Sequence, residues 1–494
     1  MLTAGVLSHT LVVVVTVLLT SGIWLTAYFA GVKPSKSVNT YNYNYNGCNS
    51  STTSSCPDLP TPPSCADTCE FVVCESIPDG LQFDPKYQRF NSTTDCWMRL
   101  LKEAQQEVLL GSFYWSLLVK DTGDNYTSDP TNTSVNGQQI YDNIVSTAKR
   151  GVNFRITQTY EKEGTPETEE FQKLVPGKFN VRSLDFTQWY KGGILHTKSW
   201  AVDGKHLYVG SANFDWRSLR QVKELGIAVF NCPCLAQDLT KLLDIYWEMG
   251  APGAKIPQMW PQKYSTGINH QSPITVPQSQ GNQAVYFSAS PPGFQSCGRE
   301  DDLTAMIKAI DEARSSISLA VMDYSCSSLY LSPNYWSAKL DEAIRRAAFD
   351  RQVKVRFMMS RWPDTRKEFY TYLRSLNDVS DQLPCVYSNG KCSKRGSIEV
   401  RLIEVPVQQF GDIPFARVYH NKYFVTESTG YVGTSNWSPD YWSNTAGIGM
   451  IIRSDDSTSS SYLVANLQNI FDRDWNSNYT TSINKFDNNG NRIN

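Results

Sequence analysis

Apolar positions along this 494-residue chain follow first a helical period and then a strand period, and this order occurs twice. An amphipathic stretch with apolar residues three or four apart predicts a helix, and an adjoining apolar run predicts a buried strand. The helical positions are Trp97, Leu100, Leu101, Ala104 and Val108 in one case and Leu303, Met306, Ile307, Ile310 and Ala313 in the other. The strand-like runs that follow them are EVLLGSFYWSLL and SISLAVMDYSC.

Each part then offers a second helix that leads into a strand, at residues 140–156 and 337–357. Helices that alternate with strands predict an α/β fold with crossover connections. Because the pattern is duplicated, we expect two similar halves related by a pseudo-twofold axis. Such symmetry would bring equivalent residues face to face at the seam between the halves.

A short motif closes each half. The first half reads His196-Thr-Lys198 with Asp203 and Asn213 further on, and the second reads His420-Asn-Lys422 with Glu427 and Asn436. Both segments predict a hairpin, with turns at Asp203-Gly204 and at Ser428–Gly430. Positions i and i+2 of a strand share a face, so each histidine would project beside its own lysine.

Two such hairpins that meet at a pseudo-twofold axis would gather two histidines, two lysines and two asparagines around one point. This set suits phosphodiester cleavage: one imidazole attacks phosphorus while the other protonates the leaving oxygen, and the roles reverse when water releases the phospho-enzyme. The ammonium and amide groups would hold the phosphoryl oxygens. Because the lysines supply the positive charge, no metal or other cofactor is needed.

The N-terminal region predicts a membrane anchor. Residues 4–32 carry no Asp, Glu, Lys or Arg, and this uncharged run is long enough to span a bilayer. The alternative is a signal peptide that is cleaved after Gly22. Lys33 and Lys36 follow the span and by the positive-inside rule would favour a cytosolic C-terminal side, but a large domain translocates regardless of weak flanking charge. We therefore expect a single-pass type II protein. Mean hydropathy of −0.38 excludes a multi-span protein, and a net charge of −2 gives no overall basic field.

Cysteines and sequons indicate an oxidising lumen. The chain has 12 cysteines, and the pair Cys65/Cys69 is expected to bond the pair Cys232/Cys234, with buried free thiols as the alternative. Zinc knuckles would need C-x-x-C pairs with nearby histidine, which these pairs lack. The glycosylation candidates are Asn49, Asn91, Asn125, Asn132 and Asn478. Asn436 also begins a sequon, but a residue that contacts phosphate cannot carry a glycan.

Composition divides the chain into segments. We expect a tail and anchor over 1–32, a Ser/Thr/Asn/Pro-rich stalk over 33–64, a first half over 65–250 and a linker over 251–283. The second half would cover 284–475, followed by an Asn-rich and at most loosely ordered tail over 476–494.

The paired motifs resemble the HKD motifs of the phospholipase D superfamily, and the likeness runs from Cys65 to about Trp475. HTKSWAVDGKHLYVGSANFDWRSLRQVKELG and HNKYFVTESTGYVGTSNWS are similar to the membrane-anchored endolysosomal branch. This resemblance implies two α/β/α sandwich halves with one shared active site. It further implies a 5′-3′ exonuclease of single-stranded DNA and RNA in acidic endosomes and lysosomes.

The resemblance also raises an asymmetry. Members of the family have a Glu eleven residues after the motif Asn that can bond an active-site histidine; here Glu224 stands at that offset from Asn213, but Gly447 stands there after Asn436. A carboxylate fixes the tautomer of an imidazole and stabilises its cation. The resulting hypothesis is that His196 is the nucleophile, supported by Glu224, and His420 the acid. Asp203 and Glu427 lie at the far ends of their strands, where structural roles are expected.

Two other functions use the same sequence features. A phospholipid hydrolase or transphosphatidylase, including a synthase of bis(monoacylglycero)phosphate, would employ the same residues with a lipid substrate. A non-catalytic luminal binding protein is the third reading, but the intact His–Lys pairs speak against it. Cleavage of the stalk would release a soluble luminal form, and a homodimer is neither required nor excluded because both halves lie in one chain.

Overall fold

A computed structural model describes residues 56, 58–65, 68–123, 126, 129, 131–279, 281–407, 410, 413–454 and 461–493. These residues belong to one unit, Gly47–Asn494. The expected membrane span at 4–32, most of the stalk, and the sequons at Asn49 and Asn125 lie outside the described residues. Within the ranges just given, none of the helices has both the length and the apolar character needed to cross a bilayer.

The first half alternates strands and helices as the hydrophobic pattern predicts. Its strands are β1 (Glu70–Ser76), β2 (Glu107–Ser112), β3 (Trp115–Ser116), β4 (Asn153–Thr159), β5 (Phe179–Leu184), β6 (Ser199–Val202), β7 (His206–Gly210), β8 (Phe214–Asp215) and β9 (Glu224–Phe230). Its helices are α1 (Thr93–Glu103), α2 (Val135–Lys149), α3 (Pro166–Leu174), α4 (Trp216–Arg220) and α5 (Pro233–Met249). Seven of these strands form one sheet in the order β1-β9-β7-β6-β2-β4-β5.

The second half repeats this arrangement. Its strands are β10 (Ile274–Val276), β11 (Gln283–Ser290), β12 (Glu300–Asp301), β13 (Ser316–Val321), β14 (Lys354–Ser360), β15 (Cys385–Ser388), β16 (Lys391–Arg395), β17 (Ser397–Ile403), β18 (Lys422–Thr426), β19 (Thr429–Gly433), β20 (Gly447–Ser454) and β21 (Thr480–Ser482). Its helices are α6 (Asp302–Glu312), α7 (Lys339–Asp350), α8 (Lys367–Asp378), α9 (Pro439–Ser443) and α10 (Tyr462–Trp475). The main sheet runs β10-β11-β20-β19-β18-β13-β14-β17-β21, with β12 beside β11. The predicted duplicated α/β fold is confirmed.

Helices cover both faces of the first sheet because its strands alternate apolar residues between the two faces. Val108 and Leu110 of β2 pack in a cluster with α1 and α2, whereas Leu109 between them packs in a second cluster with α5. That second cluster is continuous with the apolar core of the second half. The two halves therefore share one core.

The hairpin turns follow from local sequence. Between β6 and β7, Asp203 and Gly204 adopt φ values of 52° and 59°, the left-handed conformation that two-residue hairpin turns require and that Asp-Gly accommodates. The second turn lies one residue earlier than the sequence predicted. Ser428 falls between β18 and β19, but Gly430 already belongs to β19, where it pairs with Val425.

The segment expected to be a linker and the tail expected to be loosely ordered are both packed. In the 251–283 segment, Trp260 and Ile268 are buried and β10 adds a strand to the second sheet. The Asn-rich tail carries β21, which pairs with β17, and Ile483 and Phe486 are fully buried. The expectation of a loosely ordered tail is wrong because composition alone hid these two apolar anchors among polar residues.

Disulfides join Cys65 to Cys234 and Cys69 to Cys232, as the sequence predicted. Three further bonds pair Cys56 with Cys297, Cys74 with Cys96, and Cys385 with Cys392. The first of these links the end of the stalk to the second half of the chain.

Candidate active site

The two histidine–lysine pairs lie at the N-terminal ends of the hairpins. Lys198 directly precedes β6, and Lys422 is the first residue of β18. Each lysine donates to the carbonyl of its own histidine, Lys198 Nζ to His196 O at 2.5 Å and Lys422 Nζ to His420 O at 2.6 Å. All four side chains are buried, the most exposed being His420 at 8%.

Backbone hydrogen bonds across the seam bring the two motifs together. His196 N–H donates to Ala446 O at 2.9 Å, and His420 N–H donates to Lys223 O at 2.8 Å. Each of these bonds is matched by a return bond of 2.9 Å, so the two crossings are equivalent. The segment that carries each histidine is therefore held by the other half of the molecule.

The two imidazoles have different partners at Nδ1. His420 Nδ1 lies 2.9 Å from both carboxylate oxygens of Glu224, whereas His196 Nδ1 lies 2.9 Å from the carbonyl oxygen of Thr434. The hypothesis that Glu224 supports His196 is therefore corrected: the carboxylate serves His420. Glu224 begins β9 directly after Lys223, and the seam bond from His420 to Lys223 brings this carboxylate to the histidine of the opposite half.

These partners set the proton affinities of the imidazoles. Burial holds the pKa of His196 well below its usual range, and the nearby charges of Lys198 and Lys422 lower it further. Burial also lowers the pKa of His420, and the net pKa stays below its usual range although the charge and the hydrogen bond of Glu224 oppose the effect of burial. Burial raises the pKa of Glu224, yet the charges of His420 and Lys422 outweigh it and the net pKa lies below its usual range. His420 is thus the imidazole better equipped to carry a proton.

The amino groups of both lysines are buried in the site. Among the residues that the structure describes, no carboxylate lies within ion-pair distance of Lys198 or Lys422. Burial lowers the pKa of Lys198 well below its usual range and that of Lys422 to about 7. A phosphoryl anion bound between them would restore both ammonium forms, because opposite charge favours the charged state.

The motif asparagines are oriented by residues that the sequence did not single out. Asn436 Nδ2 donates to Asp323 Oδ2 at 3.0 Å, and Asn213 Nδ2 lies 3.4 Å from Tyr114 Oη. Tyr114 stands two residues beyond β2, and Asp323 stands two residues beyond β13; these are the strands that follow α1 and α6. A comparison of FYW with MDY in the two strand-like runs could have found them. The side-chain oxygens of both asparagines, Oδ1, are buried without a hydrogen-bond partner among the described atoms.

The motif carboxylates lie at the other end of the hairpins. Asp203 accepts three backbone N–H groups just before β2, from Gln105, Gln106 and Glu107, at 2.7–2.9 Å. Glu427 accepts the backbone N–H groups of residues 314–316 before β13 at 2.5–3.3 Å. Both carboxylates fasten the turn of a hairpin to the start of a neighbouring strand.

The remaining candidates separate by exposure and bonding. Asn91, Asn132 and Asn478 are exposed, whereas Asn436 is buried at 3% exposure.

The sulfurs of Cys65, Cys69, Cys232 and Cys234 lie close enough together to hold a metal ion, but they are joined in disulfides. Disulfide sulfur is not the thiolate that binds zinc.

A family model and several known proteins match this chain, and all of them are of the phospholipase D type. Residues 86–391 match the family described as "PLD3/4, PLD-like domain". A Xenopus laevis protein named 5'-3' exonuclease PLD3 is 39% identical over 422 residues, covering 85% of this chain and 82% of that protein. The human protein of the same name is 37% identical over 423 residues with the same coverage of both chains. A Caenorhabditis elegans protein named probable phospholipase D F09G2.8 is 39% identical, covering 85% of this chain and 72% of its own.

A solved structure supports the fold. The phosphatidylserine synthase of Haemophilus influenzae superposes with a TM-score of 0.51 at 12% identity, covering 84% of this chain and 88% of that one. At this identity the similarity concerns the arrangement of helices and strands.

Proposed function

The chain belongs to the phospholipase D superfamily, in the branch described as PLD3/4, and on that premise we propose that it is a 5′-3′ exonuclease of single-stranded DNA and RNA. The observation that carries the proposal is the meeting of two buried His–Lys pairs at one seam, with a different Nδ1 partner on each histidine. The names of the frog and human relatives favour a nucleic acid over other phosphodiesters.

His196 is the nucleophile in this proposal. Donation of Nδ1–H to Thr434 O leaves the lone pair on Nε2, and the low pKa keeps the ring neutral. Nε2 attacks phosphorus while His420, charged and held by Glu224, donates a proton to the leaving oxygen as the P–O bond breaks. The neutral His420 then takes a proton from water, whose oxygen attacks phosphorus and breaks the N–P bond. Both histidines return to their starting states.

The charge of the phosphoryl group is held by the surrounding donors. Lys198 and Lys422 supply ammonium groups, and Asn213 and Asn436 supply amide N–H groups, all from buried positions. Fixed donors in a site with little water stabilise developing negative charge strongly. We expect EDTA to leave the rate unchanged because these side chains provide the positive charge.

The compartment in the proposal is the lumen of an acidic organelle. Five disulfides among the described residues support an oxidising site of folding, and three exposed sequons can accept glycans. The apolar run over 4–32 would anchor the chain as a single-pass type II protein. The stalk and the first half would keep the boundaries given from the sequence, whereas the second half would begin earlier, at β10. Protease protection in sealed microsomes, with and without detergent, tests this topology.

Cleavage of oligonucleotides tests the activity. The purified full-length protein is incubated at pH about 5 with single-stranded oligonucleotides whose 5′ end is free or blocked, in the presence of EDTA. We expect stepwise loss from the free end only, and a fall in kcat/KM of about 10⁴-fold or more for His196→Ala. Trapping a phosphohistidine and mapping it to His196 confirms the nucleophile, whereas label on His420 alone reverses the two roles.

A phospholipid is the second candidate substrate, favoured by the name of the C. elegans relative. The same histidines and lysines would act, with water or a glycerol hydroxyl as the acceptor. If neither oligonucleotide is cleaved, turnover of phosphatidylglycerol by the wild type and by His196→Ala decides in favour of the lipid.

A further inference from the structure

Asp323 is a buried carboxylate inside the site, in contact with one of the groups that would hold the phosphoryl oxygens. Its side chain is 9% exposed, and its Oδ2 accepts from Asn436 Nδ2 at 3.0 Å. Tyr441 Oη lies 3.5 Å from the same amide nitrogen. A phosphodiester that binds to the amide of Asn436 would therefore lie next to the carboxyl group of Asp323.

The corresponding position in the first half is filled by a group of different chemistry. There Tyr114 Oη lies 3.4 Å from Asn213 Nδ2 and donates to Asp215 Oδ2 at 2.7 Å. Burial and the negative charge of Asp215 raise the pKa of Tyr114 well above its usual range, so this phenol stays neutral. One asparagine is thus oriented by a permanently neutral group and the other by a group that can become an anion.

The charged and titratable groups around Asp323 come from several elements. The positive charges of Lys422, in β18, and of Arg366, just before α8, favour the ionised form of Asp323 and so lower its pKa. The negative charge of Asp323 in turn raises the pKa of Tyr330 and of Tyr441. In the described part of the chain, no cation forms an ion pair with Asp323. Its negative charge, when present, is only partly balanced.

We propose that Asp323 sets the pH range in which the site accepts a phosphodiester: as a carboxylate it competes with the substrate anion for Asn436 and Lys422, and as a neutral acid it admits that anion. The inference rests on the proposed function and assigns to that site a specificity-determining residue. A second anion beside a bound phosphate is costly in a buried site, because like charges at short range repel strongly there.

The ionisation falls in the range that matters for this role. Burial raises the pKa of Asp323 to about 6, and the positive charges of Lys422 and Arg366 oppose that rise. Asp323 is therefore neutral near pH 5 and negative near pH 7.5, so the substrate anion binds more tightly on the acid side. Removing the charge also lowers the pKa of Lys422, but a bound anion favours the return of that proton.

Binding of inorganic sulfate tests the proposal without any cleavage. Sulfate is a tetrahedral dianion throughout pH 5–8, so changes in its affinity report the protein alone. Isothermal titration of the full-length protein at pH 5 and 7.5 gives the two dissociation constants, and Lys198→Met identifies the binding that belongs to the site. Between these pH values we expect the wild type to lose about tenfold more affinity than Asp323→Asn.

Two matched variants control for structural effects. Asp302 is another buried acid, with a pKa raised by burial to about 6, and accepts from Ser288 and Tyr431 within the second half. Asp302→Asn should lose sulfate affinity with pH as the wild type does. Asp323→Glu keeps the charge and should do the same. An equal loss in the wild type and in Asp323→Asn overturns the proposal.

Cleavage kinetics separate this inference from the proposed function. With a single-stranded oligonucleotide, Asp323→Asn should lower KM about tenfold at pH 7.5, whereas Asp302→Asn should leave the pH dependence of KM as it is in the wild type. A pH-dependent KM that is the same in both proteins contradicts the role of Asp323 while the nuclease stands. If the sulfate pattern holds but no oligonucleotide is cleaved, the role of Asp323 stands and the nuclease proposal is wrong.

Discussion

The atom that accepts from Nδ1 is what distinguishes the two histidines of the seam. Thr434 offers His196 a neutral carbonyl, and Glu224 offers His420 a carboxylate whose pKa lies below its usual range. A carboxylate favours the imidazolium form and a carbonyl favours it far less. The difference of one side chain thus separates a ring that is neutral from a ring that can carry the proton.

Glu224→Gln should move the basic limb of the pH profile of kcat to lower pH. The carboxylate raises the pKa of His420, so without it His420 loses its proton at lower pH and the acid form is depleted sooner. Activity should therefore fall more at the basic end of the profile than at its acidic end. Glu224→Asp serves as the control that keeps the charge, and an unmoved basic limb in Glu224→Gln would contradict the role of His420 as the acid.

At the scale of elements, β9 reaches the seam beside a buried group of four charges. Lys223 lies 2.7 Å from Glu75 of β1, and Arg473 of α10 contacts both Glu75 and Asp474, all four side chains being 3% exposed or less. The two cations balance the two anions. The backbone carbonyl oxygen of Lys223 also accepts a hydrogen bond from the backbone N–H of His420. The network of charges therefore fixes the strand that carries Glu224.

Lys223→Met should lower the free energy of unfolding by about 3 kcal/mol, because it leaves a buried carboxylate short of a partner. The same change at an exposed ion pair, Lys120→Met beside Glu170, should cost less than about 1 kcal/mol. Thermal unfolding followed by tryptophan fluorescence compares the two variants. Equal losses would show that the buried network adds nothing beyond an exposed pair.

Periodicity predicted the helices and hairpins because their apolar faces are local features of sequence. The Asp-Gly turn and the i, i+2 relation of His196 and Lys198 required no knowledge of distant contacts. The partner of Glu224 could not be obtained this way, since it depends on how the two halves cross. Asp323 escaped notice because it stands in no motif and matters only through its contact with Asn436.

At the scale of the whole molecule, the C-terminal segment closes the second sheet. β21 pairs with the edge strand β17, and Ile483 and Phe486 fill the core beneath it. Composition suggested a loose tail because these two residues are surrounded by Asn, Asp and Ser. Tertiary burial overrides such a polar background.

A chain that ends at Asn476 should unfold at lower temperature, with a loss of roughly 3–6 kcal/mol for two large buried side chains. A chain that ends at Asn488 retains both side chains and should lose much less. Thermal unfolding of the two truncated proteins checks the expectation. A matching loss in both would place the stabilising contacts beyond Asn488.

The joining of two halves in one chain allows them to diverge. In a homodimer of identical halves, every residue on one side of the axis would occur on the other, and the carboxylate of Glu224 would have a twin. Here Gly447 occupies the position equivalent to Glu224, and Ser435 Oγ lies only 2.0 Å from where a Cβ would stand. A side chain at this position would first have to displace the hydroxyl of Ser435. Covalent linkage of the two halves thus lets one imidazole keep a carboxylate that the other lacks, an arrangement that identical subunits cannot encode.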